Sequence, residues 1–178
     1  MKVAFDLDGV IYDFIKAFDF HMSTCGVPPI NPNTYNIDDR YGVREQFGHY
    51  LMDKFAQTRP FKTLSQIERG VEELRNLGKD KSNELFIITY RDWAKFGIED
   101  TLWRLYEDQI PVKEENIIFS NRKGDCARAL GIDRFYEDSG ENALDIQRNS
   151  NAKVYLINKP YNQLVEGKSI KRIEWEKR

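Results

Sequence analysis

Residues 2–10 read KVAFDLDGV. Val3, Ala4 and Phe5 form a short apolar run with little alternation, the pattern of a strand covered on both faces. The run ends at Asp6, and Asp8-Gly9 signals a turn. Two carboxylates two residues apart can point the same way as the chain leaves a strand, and Gly9 lets the backbone turn sharply and come close to a ligand. One carboxylate can attack phosphorus and form an aspartyl-phosphate. The other can protonate the leaving oxygen and then deprotonate the attacking water. Asp-Gly turns are common on protein surfaces, so the motif acquires weight only from partners elsewhere in the chain.

Outward from this motif, Val10 to Met22 places Ile11, Phe14, Ile15, Phe18 and Met22 at helical spacing. Gly26 to Gly42, with Pro28, Pro29 and Pro32, has the composition of loops. Arg44 to Lys54 is helical again, with Phe47, Tyr50, Leu51 and Phe55 along one side. No strand signal interrupts residues 13–60, which are expected to form a small helical insertion between residues 1–12 and 61–178. Its aromatics are expected mostly to fill the insertion's own core, although an aromatic ring there could stack on a nucleobase.

Beyond the insertion, strands and helices alternate. Ser65 and Glu68 suit a capping box, Ile67, Val71, Leu74 and Leu77 keep helical spacing, and Gly78 marks a stop. Strands are expected at Glu84–Tyr90, Asn116–Ser120, Arg134–Glu137, Lys153–Asn158 and Lys171–Trp175, with helices at Trp93–Asp108, Gly124–Leu130 and Glu141–Asn149. Such alternation implies right-handed βαβ crossovers and an α/β fold, a parallel sheet flanked by helices. Ligands of open parallel sheets bind beyond the carboxyl ends of the strands. The polar residues at those ends are Asp6 and Asp8, Thr89 and Arg91, Ser120 to Lys123, and Glu137 with Asp138.

Each has a chemistry to offer and an ordinary structural reading beside it. Thr89 could donate to a phosphoryl oxygen, yet Thr is common in strands. Lys123 could neutralise a phosphoryl group, yet most lysines are solvated. Glu137-Asp138 beside Asp6 would repel strongly without a cation, since unit charges ~4 Å apart cost about 4 kcal/mol at an effective dielectric of ~20. Mg²⁺ suits such hard oxygen ligands. Arg44, Arg59 and Arg91 could each touch a phosphate, yet are read as solvated or locally paired surface residues, and His21 and His49 match no ligand pattern.

Composition excludes several classes. Among 178 residues, 27 basic side chains against 29 acidic ones leave a net charge of −2, which gives no bulk drive toward nucleic acid or anionic membrane. Cys25 and Cys126 lack metal-binding spacing and read as reduced thiols. The early acidic residues do not suit a signal peptide, and the apolar runs are strand-sized, so a cytoplasmic protein is expected. Oligomeric state is not legible.

The chain order of these strand ends resembles that of the haloacid dehalogenase (HAD) superfamily of phosphatases. FDLDGV resembles the family's first motif, IITYR its second, Lys123 its third and FYEDSGEN its fourth. The resemblance implies a Rossmann-like core with a small helical cap inserted after the first strand. It implies Asp6 as nucleophile and metal ligand, Asp8 as general acid/base and metal ligand through its carbonyl, and Thr89 and Lys123 as phosphate-binding groups. Asp138 becomes a Mg²⁺ ligand, with Glu137 a candidate second. DLDGVIYDF, the placing of the insertion, TYR and INKPYN further resemble the 5'(3')-deoxyribonucleotidase group, which implies a nucleotide substrate. Two features depart from that group: Glu137-Asp138 where two aspartates are frequent, and Tyr90 where a small residue follows the threonine. A phosphatase for another small metabolite, a nucleic-acid 3'-phosphatase and a non-catalytic binding protein of the same fold are the alternatives.

Overall fold

A strand buries every residue only when helices cover both faces of its sheet. Val3, Ala4 and Phe5 are all fully buried. In the computed structural model, which describes residues 1–175, they belong to β1 (Lys2–Phe5). The other strands are β2 (Glu84–Thr89), β3 (Ile117–Phe119), β4 (Arg134–Glu137), β5 (Lys153–Ile157) and β6 (Ile170–Ile173). They form one six-stranded sheet in the order β3-β2-β1-β4-β5-β6, and every pairing is parallel. The α/β parallel sheet expected from the alternation is therefore present.

Alternate residues of the central strands feed two separate cores. Val3, Phe5, Leu85, Ile87 and Tyr136 join one cluster, with Val71 and Leu74 of α4 (Glu68–Lys79) and Leu105 of α5 (Gly97–Glu107). Ala4, Phe86, Ile88 and Phe135 join the other, with Ala127 of α6 (Lys123–Leu130) and Ala143 and Ile146 of α7 (Gly140–Asn149). The chain first winds outward from β1 to β3, then crosses to the far side of β1 and continues through β4 to β6. The strand order thus reverses between β1 and β4, and a crevice at such a point is where ligands of these sheets bind.

Between β1 and α4 lie three helices, α1 (Phe14–Thr24), α2 (Ile37–Tyr41) and α3 (Glu45–Gln57), and a 3₁₀ turn at Pro60–Lys62. Phe14, Phe18 and Phe55 pack ring to ring, with centroids 5.1–5.9 Å apart. Phe47 and Tyr50 instead stack on each other outside this cluster, about half exposed. Among the described residues no helix is long and apolar enough to cross a membrane.

Several element boundaries differ from expectation. α1 begins at Phe14 rather than Val10 because residues 10–12 wind back on the Leu7 carbonyl, which accepts from the N–H groups of Ile11 and Tyr12 at 2.8 Å. Asp13 then caps the helix, accepting from the Lys16 N–H. The Ser65 capping box does not form. The Asp13 N–H donates to the Ser65 carbonyl at 2.9 Å and the Ile67 N–H to the Ile11 carbonyl at 2.8 Å, so this stretch is committed to a short bridge and α4 starts only at Glu68. α4 also runs one residue past Gly78. Residues 93–96 turn before α5 instead of opening it. The loop of residues 26–42 contains α2, capped by Asn36, which accepts from the Asp39 N–H at 3.0 Å.

α4 lies hard against the turn after β1. A Cβ on Gly70 would sit 2.0 Å from the Val10 carbonyl oxygen, a backbone atom with no rotamer to yield. Gly70→Ala is expected to destabilise the fold by about 1–3 kcal/mol, the usual cost of overpacking. Urea unfolding should show a lower midpoint with an unchanged slope. A midpoint equal to wild type would mean that α4 slides freely on this turn.

Candidate active site

Register sets the site. Phe5 pairs with Ile87 on one side and Tyr136 on the other, so Asp6 leaves β1 level with Glu137 at the end of β4. The Asp6 N–H donates to the Tyr136 carbonyl at 2.9 Å, which holds the residue in the ladder while its side chain reaches beyond the sheet. Lys123, the first residue of α6, is buried between the two acids. Its Nζ lies 2.8 Å from Asp6 Oδ2 and 2.7 Å from Glu137 Oε2. Burial opposes the charge on this amine, but the carboxylates of Asp6 and Glu137 outweigh it, and its pKa is raised. Lys123 is therefore an ammonium ion.

Glu137 is occupied on both oxygens. Oε2 takes Lys123, and Oε1 accepts from the Ser139 N–H at 3.0 Å and the Asp138 N–H at 3.2 Å. Asp138 is held from two directions: Tyr161 donates its hydroxyl to Oδ2, and Asn162 Nδ2 donates to the backbone carbonyl at 2.7 Å. Gly9 completes the packing. Its φ is +72°, and a Cβ there would fall 1.9 Å from Asp138 Oδ2, so conformation and space both demand glycine.

Among the described residues, three buried side-chain atoms have no hydrogen-bond partner: Asp6 Oδ1, Asp138 Oδ1 and Thr89 Oγ1. All belong to this site, and each such orphan costs about 1–3 kcal/mol. Asp6, Glu137 and Asp138 each offer an oxygen within 4.8 Å of the others. Three carboxylates against one ammonium leave surplus negative charge. Burial first, then the charges of Glu137 and Asp6, push the Asp138 carboxyl well above the usual carboxylate range. Unpartnered carboxylate oxygens in a negatively charged, buried pocket fit a hard divalent cation of the Mg²⁺ type. Asp6 and Asp138 are the better candidate ligands, because the oxygens of Glu137 are already committed.

Asp8 faces another partner. Its carboxylate is gripped by Arg91, whose Nε and Nη2 donate at 3.0 and 2.7 Å to Oδ2 and Oδ1. A cavity of about 540 Å³ opens above these groups. Asp6, Asp8, Thr89 and Lys123 form its floor, and Phe14, Tyr35, Met52 and Trp93 contribute apolar surface.

All six residues singled out from sequence, Asp6, Asp8, Thr89, Lys123, Glu137 and Asp138, thus lie around the carboxyl ends of β1, β2 and β4. Arg59 is not at the cavity; it pairs with Glu99 and Asp100 of α5. Arg91 is no surface residue but is fully buried, because Asp8 compensates its charge. Its position just past β2 set it at the sheet edge, but its pairing with Asp8, 83 residues away in the chain, had no local signal. The contact of Tyr161 with Asp138 had no local signal, because 23 residues separate the partners. His49, given no role from sequence, also lines the cavity.

No protein-family profile matches this chain, and no curated protein sequence matches it. Solved structures do. A haloacid dehalogenase-like family hydrolase from Streptococcus pneumoniae superposes with a TM-score of 0.63 at 14% identity, over 91% of this chain and 87% of that one. A HAD-superfamily hydrolase of subfamily IA, variant 1, from Geobacter sulfurreducens gives a TM-score of 0.57 at 14% identity, over 97% of this chain and 90% of that one. At this identity the likeness is one of fold: the chain shares the Rossmann-like core of these HAD-superfamily hydrolases, a parallel sheet flanked by helices.

Proposed function

We propose that the chain is a Mg²⁺-dependent phosphomonoester hydrolase that acts through an aspartyl-phosphate on Asp6, with nucleoside monophosphates as its substrates. One observation supports this most: Asp6, Asp138 and Thr89 keep buried, unpartnered oxygens at the sheet edge where the strand order reverses, and a buried ammonium pairs with Asp6 there. Asp6 attacks phosphorus, and the bond from phosphorus to the ester oxygen breaks. Asp8 gives the departing oxygen a proton, then takes one from the water that cleaves the acyl phosphate. Inorganic phosphate leaves and Asp6 is restored. Lys123 and the Thr89 hydroxyl hold the phosphoryl oxygens. Mg²⁺, held by Asp6 and Asp138, would supply charge that offsets the phosphoryl group.

The nucleotide rests on the cavity. Its volume of about 540 Å³ is of ligand size, and Phe14, Tyr35 and Trp93 present aromatic surface in it. Stacking a base on such a ring contributes ~1–3 kcal/mol. Residues 13–60 serve as the cap that bears Phe14 and Tyr35.

Asp6→Asn is expected to lower turnover by about 10³-fold or more while the far-UV circular dichroism stays native. Wild-type turnover in that variant would remove Asp6 from the chemistry. With Mg²⁺ present, deoxynucleoside monophosphates should be hydrolysed with higher kcat/KM than sugar phosphates of similar size; the reverse ranking would leave the hydrolase and discard the nucleotide.

Metal binding should also be visible without catalysis. The raised pKa of Asp138 means that the metal-free fold favours the neutral acid more than the unfolded chain does. That contribution to stability is fully present below the unfolded pKa and is lost as pH rises through the folded value. Mg²⁺ should therefore raise the melting temperature more at about pH 8 than at about pH 5, and Asp138→Asn should shrink the rise. Equal shifts at both pH values in wild type would place the cation elsewhere.

A further inference from the structure

We infer that Arg91 is a positioning residue for proton transfer, holding the Asp8 carboxylate at the cavity; this rests on the phosphatase reading above. Asp8 sits on the turn after β1, where a short side chain on loop backbone has several rotamers open to it. Nε and Nη2 of Arg91 meet its two oxygens as a fork, which fixes the carboxylate's direction and rotation together.

The fork is itself rigid. Arg91 is fully buried, and its Nη1 donates to Thr101 Oγ1 on α5 at 3.2 Å. Its guanidinium lies 4.5 Å from the ring centroid of Phe61 and 5.4 Å from that of Tyr12. Tyr12 is anchored in turn, donating its hydroxyl to Asp108 Oδ2 at 2.7 Å, and the same oxygen accepts from Arg104 Nε at 2.7 Å. Gly97 lets the start of α5 close on the Arg91 carbonyl, which a Cβ there would meet at 1.7 Å. Desolvating a guanidinium is costly, and a well-packed apolar pair would join β1 to β2 at least as well. The Arg91 side chain ends instead on Asp8, a carboxylate lining the cavity that is bound neither to Lys123 nor to the acidic cluster.

The role predicts a loss that depends on the leaving group. A phosphate ester of p-nitrophenol expels an acidic phenol and needs little protonation, whereas a deoxynucleoside 5'-monophosphate expels an alkoxide that needs a proton. kcat/KM reports steps through the first irreversible one, so it isolates ester cleavage from later hydrolysis of the acyl phosphate. Arg91→Met is expected to lower kcat/KM by about 100-fold on the nucleotide, the scale of a misplaced catalytic group, and by less than about 5-fold on p-nitrophenyl phosphate. Asp8→Asn should show the same selectivity, and adding Arg91→Met to it should cost little more. If Arg91→Met does not fold, Arg91→Lys keeps the charge, loses the fork and should show the same pattern at smaller size. Equal losses on both esters, or none, would overturn the positioning role while leaving the hydrolase standing. A wild-type chain that cleaves neither ester would overturn the hydrolase reading and this role with it.

Discussion

The site depends on one buried ammonium. Lys123 Nζ stands within 2.8 Å of both Asp6 and Glu137, and no part of that triad is more than slightly solvated. Removing one partner from such a buried arrangement typically costs 3–5 kcal/mol, because the remaining charge is stranded. α6 begins at Lys123 itself, so the helix start, the crossover from β3 and the orientation of Asp6 are tied to the same side chain. Glu137 serves this arrangement from the other side. Its second oxygen gathers the N–H groups of Asp138 and Ser139, just before α7, so the end of β4 is fixed by the group that balances Lys123.

Around that centre the backbone is shaped to let acids approach one another. Gly9 adopts a left-handed conformation and leaves room for the Asp138 carboxylate. Tyr161 and Asn162, in the 3₁₀ turn after β5, pin Asp138 from beyond the sheet. Asp6 and Asp138 are thereby forced to keep unpartnered oxygens in a space too negative to be comfortable alone. A parallel sheet makes this possible, since β1 and β4 end at one level and their following turns diverge at the crevice.

The two carboxylates near β1 are held in contrasting ways. Asp6 shares one oxygen with a buried ammonium and leaves the other open, whereas both oxygens of Asp8 engage one guanidinium. An open oxygen suits a group that must form a bond to a substrate. A clamped carboxylate suits one that must stay in a fixed direction while protons come and go. Phe14 of α1 and Tyr35, just before α2, line the same cavity.

Sequence alone determined the alternation of strands and helices, hence the parallel sheet, because the period of apolar residues is a local property. It also located Asp6, Asp8, Thr89, Lys123, Glu137 and Asp138, since side chains just past strand ends must share one edge of such a sheet. It missed the delayed starts of α1, α4 and α5, where long-range backbone bonds and a close approach override capping signals, as at Ser65. Only the tertiary structure decided which charges pair. Arg91 resembles any exposed arginine until β1 and β2 lie side by side, and Tyr161 has no link to Asp138 until β5 brings it across. Such pairings depend on distances between segments far apart in the chain, and no local pattern of residue types encodes them.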